Sequence, residues 1–269
     1  MPQCPYLHSP GCFDTQDGMA GTGAAVTGSA TSTSTGREGA GSGIDPSQPI
    51  VFQVGRLGPD YWDWVNRPEP GKPRFFRSSV AENCSKVKWW VVPLVWLPFF
   101  SAVLWYGQRA HDIGAPALLA WLAVGVVAWQ GMEYAIHRWV FHATFTSYWG
   151  LTFHFLFHGC HHKYPMDAER LVFPPLPASW FIAATYAVLA SLLPARHALP
   201  LFAGIGYGYV AYDCLHYAIH HSGKGLARRL LLMRYLQTRH LHHHYKNHAL
   251  SFGISSTYLD LLLGTSAAM

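Results

Sequence analysis

Four apolar runs, each followed by a polar segment or a short connector, constrain this chain more than any other feature. They span about Trp89 to Tyr106, Ala117 to Ile136, Ala178 to Leu193 and Leu199 to Leu215. A bilayer core takes roughly 20 residues of helix, with a lower limit near 17. The first two runs meet that length, and the last two are marginal alone. Pro93 and Pro98 interrupt the first run, which neighbouring helices tolerate inside a membrane. Only 12% of the 269 residues are charged while half are apolar. That is about half the charge of an ordinary soluble domain, too little to coat a water-facing surface. The expected fold class is therefore all-α and integral to a membrane, with four transmembrane helices in two hairpins.

The connectors support this topology. "GQRAHDIGAP" and "PARHALP" close the hairpins and carry only Arg109 and Arg196. The opposite segments carry Lys72, Arg74, Arg77, Lys86 and Lys88, then Arg138, Lys163 and Arg170, then Lys224, Arg228, Arg229, Arg234, Arg239 and Lys246. Positive residues collect on the cytoplasmic side, which puts both termini there. The net charge of +5 forms no basic stripe with stacking aromatics, so nucleic acid is excluded as a partner. Residues 1–50 are dominated by Gly, Ser, Thr and Ala and are expected to be disordered. Residues 51–269 form the membrane domain. Five scattered cysteines (Cys4, Cys12, Cys84, Cys160, Cys214) form no C-x-x-C pair and are read as reduced thiols.

Histidine is the exception in this charge-poor chain, with 17 residues. Four clusters stand out: His137 and His142; His154, His158, His161 and His162; His216, His220 and His221; and "RHLHHHYKNH", with His240, His242, His243, His244 and His248. All lie at the expected cytosolic ends of the apolar runs. Residues three or four apart share a helix face. His216 can thus meet His220, His158 can meet His161 and His162, and His240 can meet His243 and His244. His242 points away from that face. His137 and His142 are about 140° apart on a regular helix. They need a distortion or serve different metals. Imidazole suits iron, zinc and copper, and ten such ligands can hold two metals with about five positions each. Glu133 and Asp213, one turn before His137 and His216, are placed to accept a ligand ring N–H.

The four boxes, with "EYAIHRWVFH", "HGCHHKYPMDAERLVFPPLPAS", "YDCLHYAIHHSG" and "FGISSTYLDLLLGT", resemble the fatty acid 2-hydroxylase family within the fatty acid hydroxylase/sterol desaturase superfamily. The upstream "YWDWVNRPEPGKPRFFRSSVAENCSK" belongs to the same resemblance. It implies a multi-pass enzyme of the endoplasmic reticulum that inserts one oxygen of O2 at C2 of long-chain fatty acyl groups destined for sphingolipids. Two iron ions would sit in a cytosolic helical cap, and zinc can occupy such imidazole sites in purified samples. Cytochrome b5 and its reductase would supply electrons. Residues 1–50 hold one histidine, His8, so the resemblance is to plant-type members without a fused cytochrome b5 domain. The implied ligands are His137, His142, His158, His161, His162, His216, His220, His240, His243 and His244. His154 is an extra candidate. Lys163, Tyr164, Arg170 and Tyr217 are candidates for holding the head group of a fatty acid, acyl-CoA or ceramide. Other superfamily chemistry, on sterols or carotenoids, is the nearest alternative. A metal transport or storage protein is the alternative from another class.

Overall fold

The computed structural model describes residues 43–222 and 230–268, and these contain helices but no strand. Lys224, Arg228 and Arg229, counted above for topology, and residues 1–42 of the expected low-complexity segment lie outside the described residues. Within the remainder of that segment, Ile50 is packed into a core.

Short helices come first: α1 (Val51–Val54), a 3-10 turn (Gly55–Asp60), α2 (Tyr61–Val65) and α3 (Ser79–Cys84). Ser78 caps α3, its hydroxyl accepting the Ala81 amide at 3.4 Å. Long helices follow: α4 (Val91–Ala110), α5 (Ala115–Ala135), α8 (Pro175–Leu192) and α9 (Ala195–His221). Between α5 and α8 lie α6 (Tyr148–His154) and α7 (Cys160–Lys163). The last two helices are α10 (Leu231–Tyr245) and α11 (Tyr258–Leu262).

Among the described residues, three helical stretches are long and apolar enough to cross a membrane: Val91–Ala110, Ala115–Phe141 and Pro175–Leu192. Their outward side chains, among them Leu94, Trp105, Leu119, Val127, Trp180 and Leu192, are exposed. A contiguous apolar exterior of this extent is unfavourable in water and matches lipid. The fourth expected run behaves differently. It is part of the 27-residue helix α9, which packs against α4, α5 and α8. Ala198 to Gly206 are all buried along it. Enclosed by its neighbours, α9 needs no lipid-facing stripe, which is why its apolar run read as short. The crossing with α5 is backbone on backbone. A Cβ on Gly125 would lie 2.3 Å from the Leu201 carbonyl oxygen, and one on Gly204 2.2 Å from that of Leu122. Small residues permit such an approach in membrane proteins.

The N-terminal helices form a second core. Val51, Val54, Tyr61, Val65 and Phe75 pack on Leu151, Phe155 and Cys160. Polar ties fasten this layer to the chain around α7. Lys163 is buried, its ammonium donating to Glu69 Oε1 at 2.6 Å and the Arg67 carbonyl at 2.9 Å, over the Trp64 ring. Arg170 donates to Glu82 Oε1 at 2.5 Å and Asp167 Oδ2 at 2.8 Å, with its guanidinium 3.9 Å above the Phe75 ring centroid.

Two π-helical turns interrupt the helices that carry histidine: Ile136–Phe141 after α5 and Phe155–Gly159 after α6. The His142 amide donates to the His137 carbonyl at 3.1 Å, an i→i+5 bond. The wider turn brings residues five apart onto one side. It removes the 140° conflict expected of a regular helix at His137 and His142.

Candidate metal centre

The ten histidines gather into two groups of five. One comprises His137 and His142 from the turn after α5, His158 from the turn before α7, His162 from α7 and His243 from α10. The other comprises His161 from α7, His216 and His220 from α9, and His240 and His244 from α10. Within each group one ligand atom per residue lies within 4.8 Å of all the others. All ten are buried except His142, which is half-buried. Each H-x-x-H-H box divides the same way. Its first and last histidines, one helical turn apart, join one group, and its middle histidine joins the other.

The spacings fit shared cations better than hydrogen bonds. His158 Nε2 lies 3.1, 3.1 and 3.0 Å from the Nε2 atoms of His137, His142 and His162. His240 Nε2 lies 2.9, 2.9 and 3.0 Å from those of His216, His220 and His244. An imidazole nitrogen has one in-plane site, either a proton or a lone pair, so it cannot satisfy three such neighbours. Two nitrogens each about 2.1 Å from one cation, at right angles, stand about 3.0 Å apart, against about 3.4 Å at a tetrahedral angle. The arrangement therefore fits a cation with more than four coordination positions. Burial first, then the neighbouring imidazoles, holds His142, His158, His161, His162, His240 and His244 well below the usual histidine range. They are neutral at physiological pH, as ligands must be.

Ring orientation comes partly from the C-terminal loop. His137 Nδ1 lies 2.5 Å from the Phe252 carbonyl, and His243 Nδ1 lies 2.7 Å from that of Leu250. Each Nδ1–H donates to its carbonyl, which leaves Nε2 with its lone pair free. Glu133 and Asp213, expected to accept from ligand rings, have other partners. Glu133 accepts the Ile254 and Ser255 amides and the Ser255 hydroxyl, while Asp213 accepts the Phe173 amide at 3.4 Å. That expectation is corrected: a shared helix face gives the right direction, but nearby backbone amides claim both carboxylates.

His154 stands outside both groups. Its Nδ1 meets the Tyr61 hydroxyl at 2.6 Å and its ring packs edge-on against Trp62. Cys160 also stands apart, its thiol pushed up to about 12 by burial. His242 is half-exposed and joins neither group. His248 is exposed yet lies parallel to His142, with ring centroids 6.3 Å apart.

A cavity of about 930 Å³ reaches this centre, with His137, His158, His161 and His216 in its wall. The rest is mainly apolar, including Phe141, Phe157, Phe173, Phe181, Phe202 and Ile205. Val140, Phe153, Phe181 and Val188 line it while remaining exposed, so it opens on the apolar exterior. Of the four head-group candidates, only Arg170 borders the cavity. Lys163 is held in the ties described above, Tyr164 packs with the N-terminal core, and Tyr217 is stacked between Trp89 and His221. Sequence reasoning missed Leu250, Phe252 and Asp260. The motif "FGISSTYLDLLLGT" was the signal for Phe252 and Asp260, and it begins two residues after Leu250.

Comparison with known proteins agrees with this architecture. The fatty acid hydroxylase family model matches residues 122–265. The dihydroceramide fatty acyl 2-hydroxylase FAH1 of Arabidopsis thaliana is 40% identical over 226 residues, covering 82% of this chain and 92% of the relative. The human fatty acid 2-hydroxylase is 34% identical, over 82% of this chain and 64% of its own length. A solved structure described as full-length scs7p, with only the hydroxylase domain visible, superposes with a TM-score of 0.76 at 35% identity. It covers 84% of this chain and 86% of that one. With a family model over half its length and a relative 40% identical over 92% of that relative, the chain belongs to the fatty acid hydroxylase family.

Proposed function

We propose that this chain hydroxylates C2 of long-chain fatty acyl groups destined for sphingolipids, at a di-iron centre held by the ten histidines. The observation that carries this reading is the pair of five-histidine groups beside a large apolar cavity. Relatives whose names specify a dihydroceramide fatty acyl 2-hydroxylase and a fatty acid 2-hydroxylase support the C2 position.

One oxygen atom of O2 enters the C2–H bond and the other leaves as water, consuming two electrons and two protons. Cytochrome b5 and its reductase supply the electrons. The metal pair, when bound, supplies O2 activation and removal of the C2 hydrogen. The histidines keep neutral nitrogens aimed at the ions, and their burial limits water. Phe141, stacked on His158 at 5.0 Å, and Phe157 belong to the apolar wall that holds the acyl chain. Arg170, paired with Glu82, borders the cavity beside Ala81, Cys84 and Ser85. In the same reading α4, α5, α8 and α9 all cross the endoplasmic reticulum membrane, with both termini and the histidines on the cytosolic side.

Membranes containing the protein, supplied with NADPH, reductase, cytochrome b5 and a long-chain acyl substrate, should yield 2-hydroxy product. Free acid, acyl-CoA and ceramide are compared in parallel. No 2-hydroxy product from any of them, beside an active control hydroxylase, refutes the reading.

A further inference from the structure

The loop between α10 and α11 is built around its own backbone amides. Four consecutive N–H groups donate to two buried carboxylates. Phe252 and Gly253 donate to Asp260 Oδ1 and Oδ2 at 2.9 and 2.8 Å, and Ile254 and Ser255 to Glu133 Oε1 at 2.7 and 2.8 Å. Asp260 is fully buried and also accepts the Thr265 hydroxyl at 2.8 Å. Ser251, buried at the start of the loop, has φ +61°, a left-handed conformation that disfavours a non-glycine residue. It is held by Ser251 N–H to the Thr265 carbonyl at 2.7 Å and Ala267 N–H to Ser251 Oγ at 3.3 Å. On either side of this strained residue, the Leu250 and Phe252 carbonyls meet His243 and His137. Gly253 allows the fold-back: a Cβ there would lie 2.0 Å from the Ser256 carbonyl oxygen.

The two carbonyls serve histidines of a single group, the one containing His142, His158 and His162. Among the described residues the Nδ1 atoms of His240 and His244 in the other group, and of His162 in this one, have no hydrogen-bond partner. The two loop carbonyls thus orient rings in one half of the centre, at His137 and His243.

We infer that Asp260 is a positioning residue which, through the Leu250–Phe252 carbonyls, fixes the rings of His137 and His243 and so governs metal retention in that one five-histidine group. The inference rests on the di-metal reading above. Asp260 touches neither ligand; it holds the backbone that does. Loss of an outer partner of a metal-ligating histidine commonly weakens metal affinity about 10- to 100-fold, and here two rings lose theirs together.

The test is cobalt(II) or iron(II) loading of the purified full chain in detergent under anaerobic conditions, read as metal per protein and as a titration. Wild type should load two ions. Asp260→Ala should retain one and bind the second about 10- to 100-fold more weakly. Asp260→Asn, which keeps one acceptor oxygen, should fall between them. Adding His243→Ala to Asp260→Ala should cost no further ion, whereas adding His240→Ala should remove the remaining one. Leu151→Ala, in the N-terminal core, serves as a control for general destabilisation and should load two ions. Full two-ion loading by Asp260→Ala at unchanged affinity overturns the inference alone, as does equal weakening of both ions. A wild-type chain that takes up no metal overturns the di-metal reading and the inference with it.

Discussion

Glu82→Gln isolates the polar tie between the N-terminal layer and the cavity. Glu82 is buried and receives the Phe75 and Phe76 amides at 2.8 and 3.0 Å, Lys86 at 2.8 Å and Arg170 at 2.5 Å. Burial pushes its carboxyl up, but Lys86, the two amides and Arg170 outweigh it and hold the group at about 2, against an ordinary 4.5. That difference corresponds to about 3 kcal/mol, in line with about 3–5 kcal/mol for breaking a buried ion pair. Gln keeps one acceptor oxygen, so the loss should lie at the lower end, about 3 kcal/mol. For a domain of this size it lowers Tm by about 6–12 °C. The folded-state pKa is depressed, so the stabilisation is present above the unfolded value near pH 4.5 and is lost as pH falls toward 2. The Tm gap between wild type and Glu82→Gln should therefore be constant from pH 8 to pH 5 and close below pH 4.5. Thermal unfolding in detergent, followed by tryptophan fluorescence across this range, measures it. A gap below about 2 °C at pH 7 refutes the reasoning, as does a gap that widens in acid.

Further outcomes follow from the same contacts. His240→Ala, His243→Ala and His244→Ala should each abolish 2-hydroxy product while His242→Ala retains it, measured in membranes at matched expression; equal loss from all four would contradict the grouping. Gly204→Leu places a side chain against the Leu122 backbone and should abolish folding, read as loss of a monodisperse peak in detergent chromatography, whereas Gly114→Ala in open space should not. Chelation of the metal-loaded protein should lower its Tm, and readdition of the ion should restore it, because a ligand that binds only the folded state stabilises it by mass action. Phe173→Ala should enlarge the cavity and raise the ratio of longer to shorter 2-hydroxy acyl products from a mixed pool, read by mass spectrometry.

Much of the site was legible because helical periodicity is local. The i, i+4 pairs His216–His220, His158–His162 and His240–His244 share groups as their spacing implied, and His242 falls outside. What spacing could not settle was which group takes each middle histidine. His161 and His243 lie on the same helix faces as their neighbours, yet His161 Nε2 stands 3.0 Å from that of His216 on α9, and His243 Nε2 3.0 Å from that of His142 after α5. His137 and His142 depended on a π turn, whose inserted residue leaves no mark in a periodicity of 3.6. Glu133 was singled out for its position, but its partners are amides over 120 residues away.

The sequence by itself determined an all-helical chain with apolar runs suited to a membrane and a histidine array; of the four expected crossings, three are helices long and apolar enough among the described residues. Charge scarcity and imidazole abundance leave few other folds, since both are properties of composition and local spacing. Only the tertiary structure decided that α9 lies among α4, α5 and α8, that the boxes exchange their middle histidines, and that a C-terminal loop orients two of the rings. Those outcomes rest on contacts between residues far apart in the chain, where packing and buried backbone amides, rather than helical period, determine each side chain's partner.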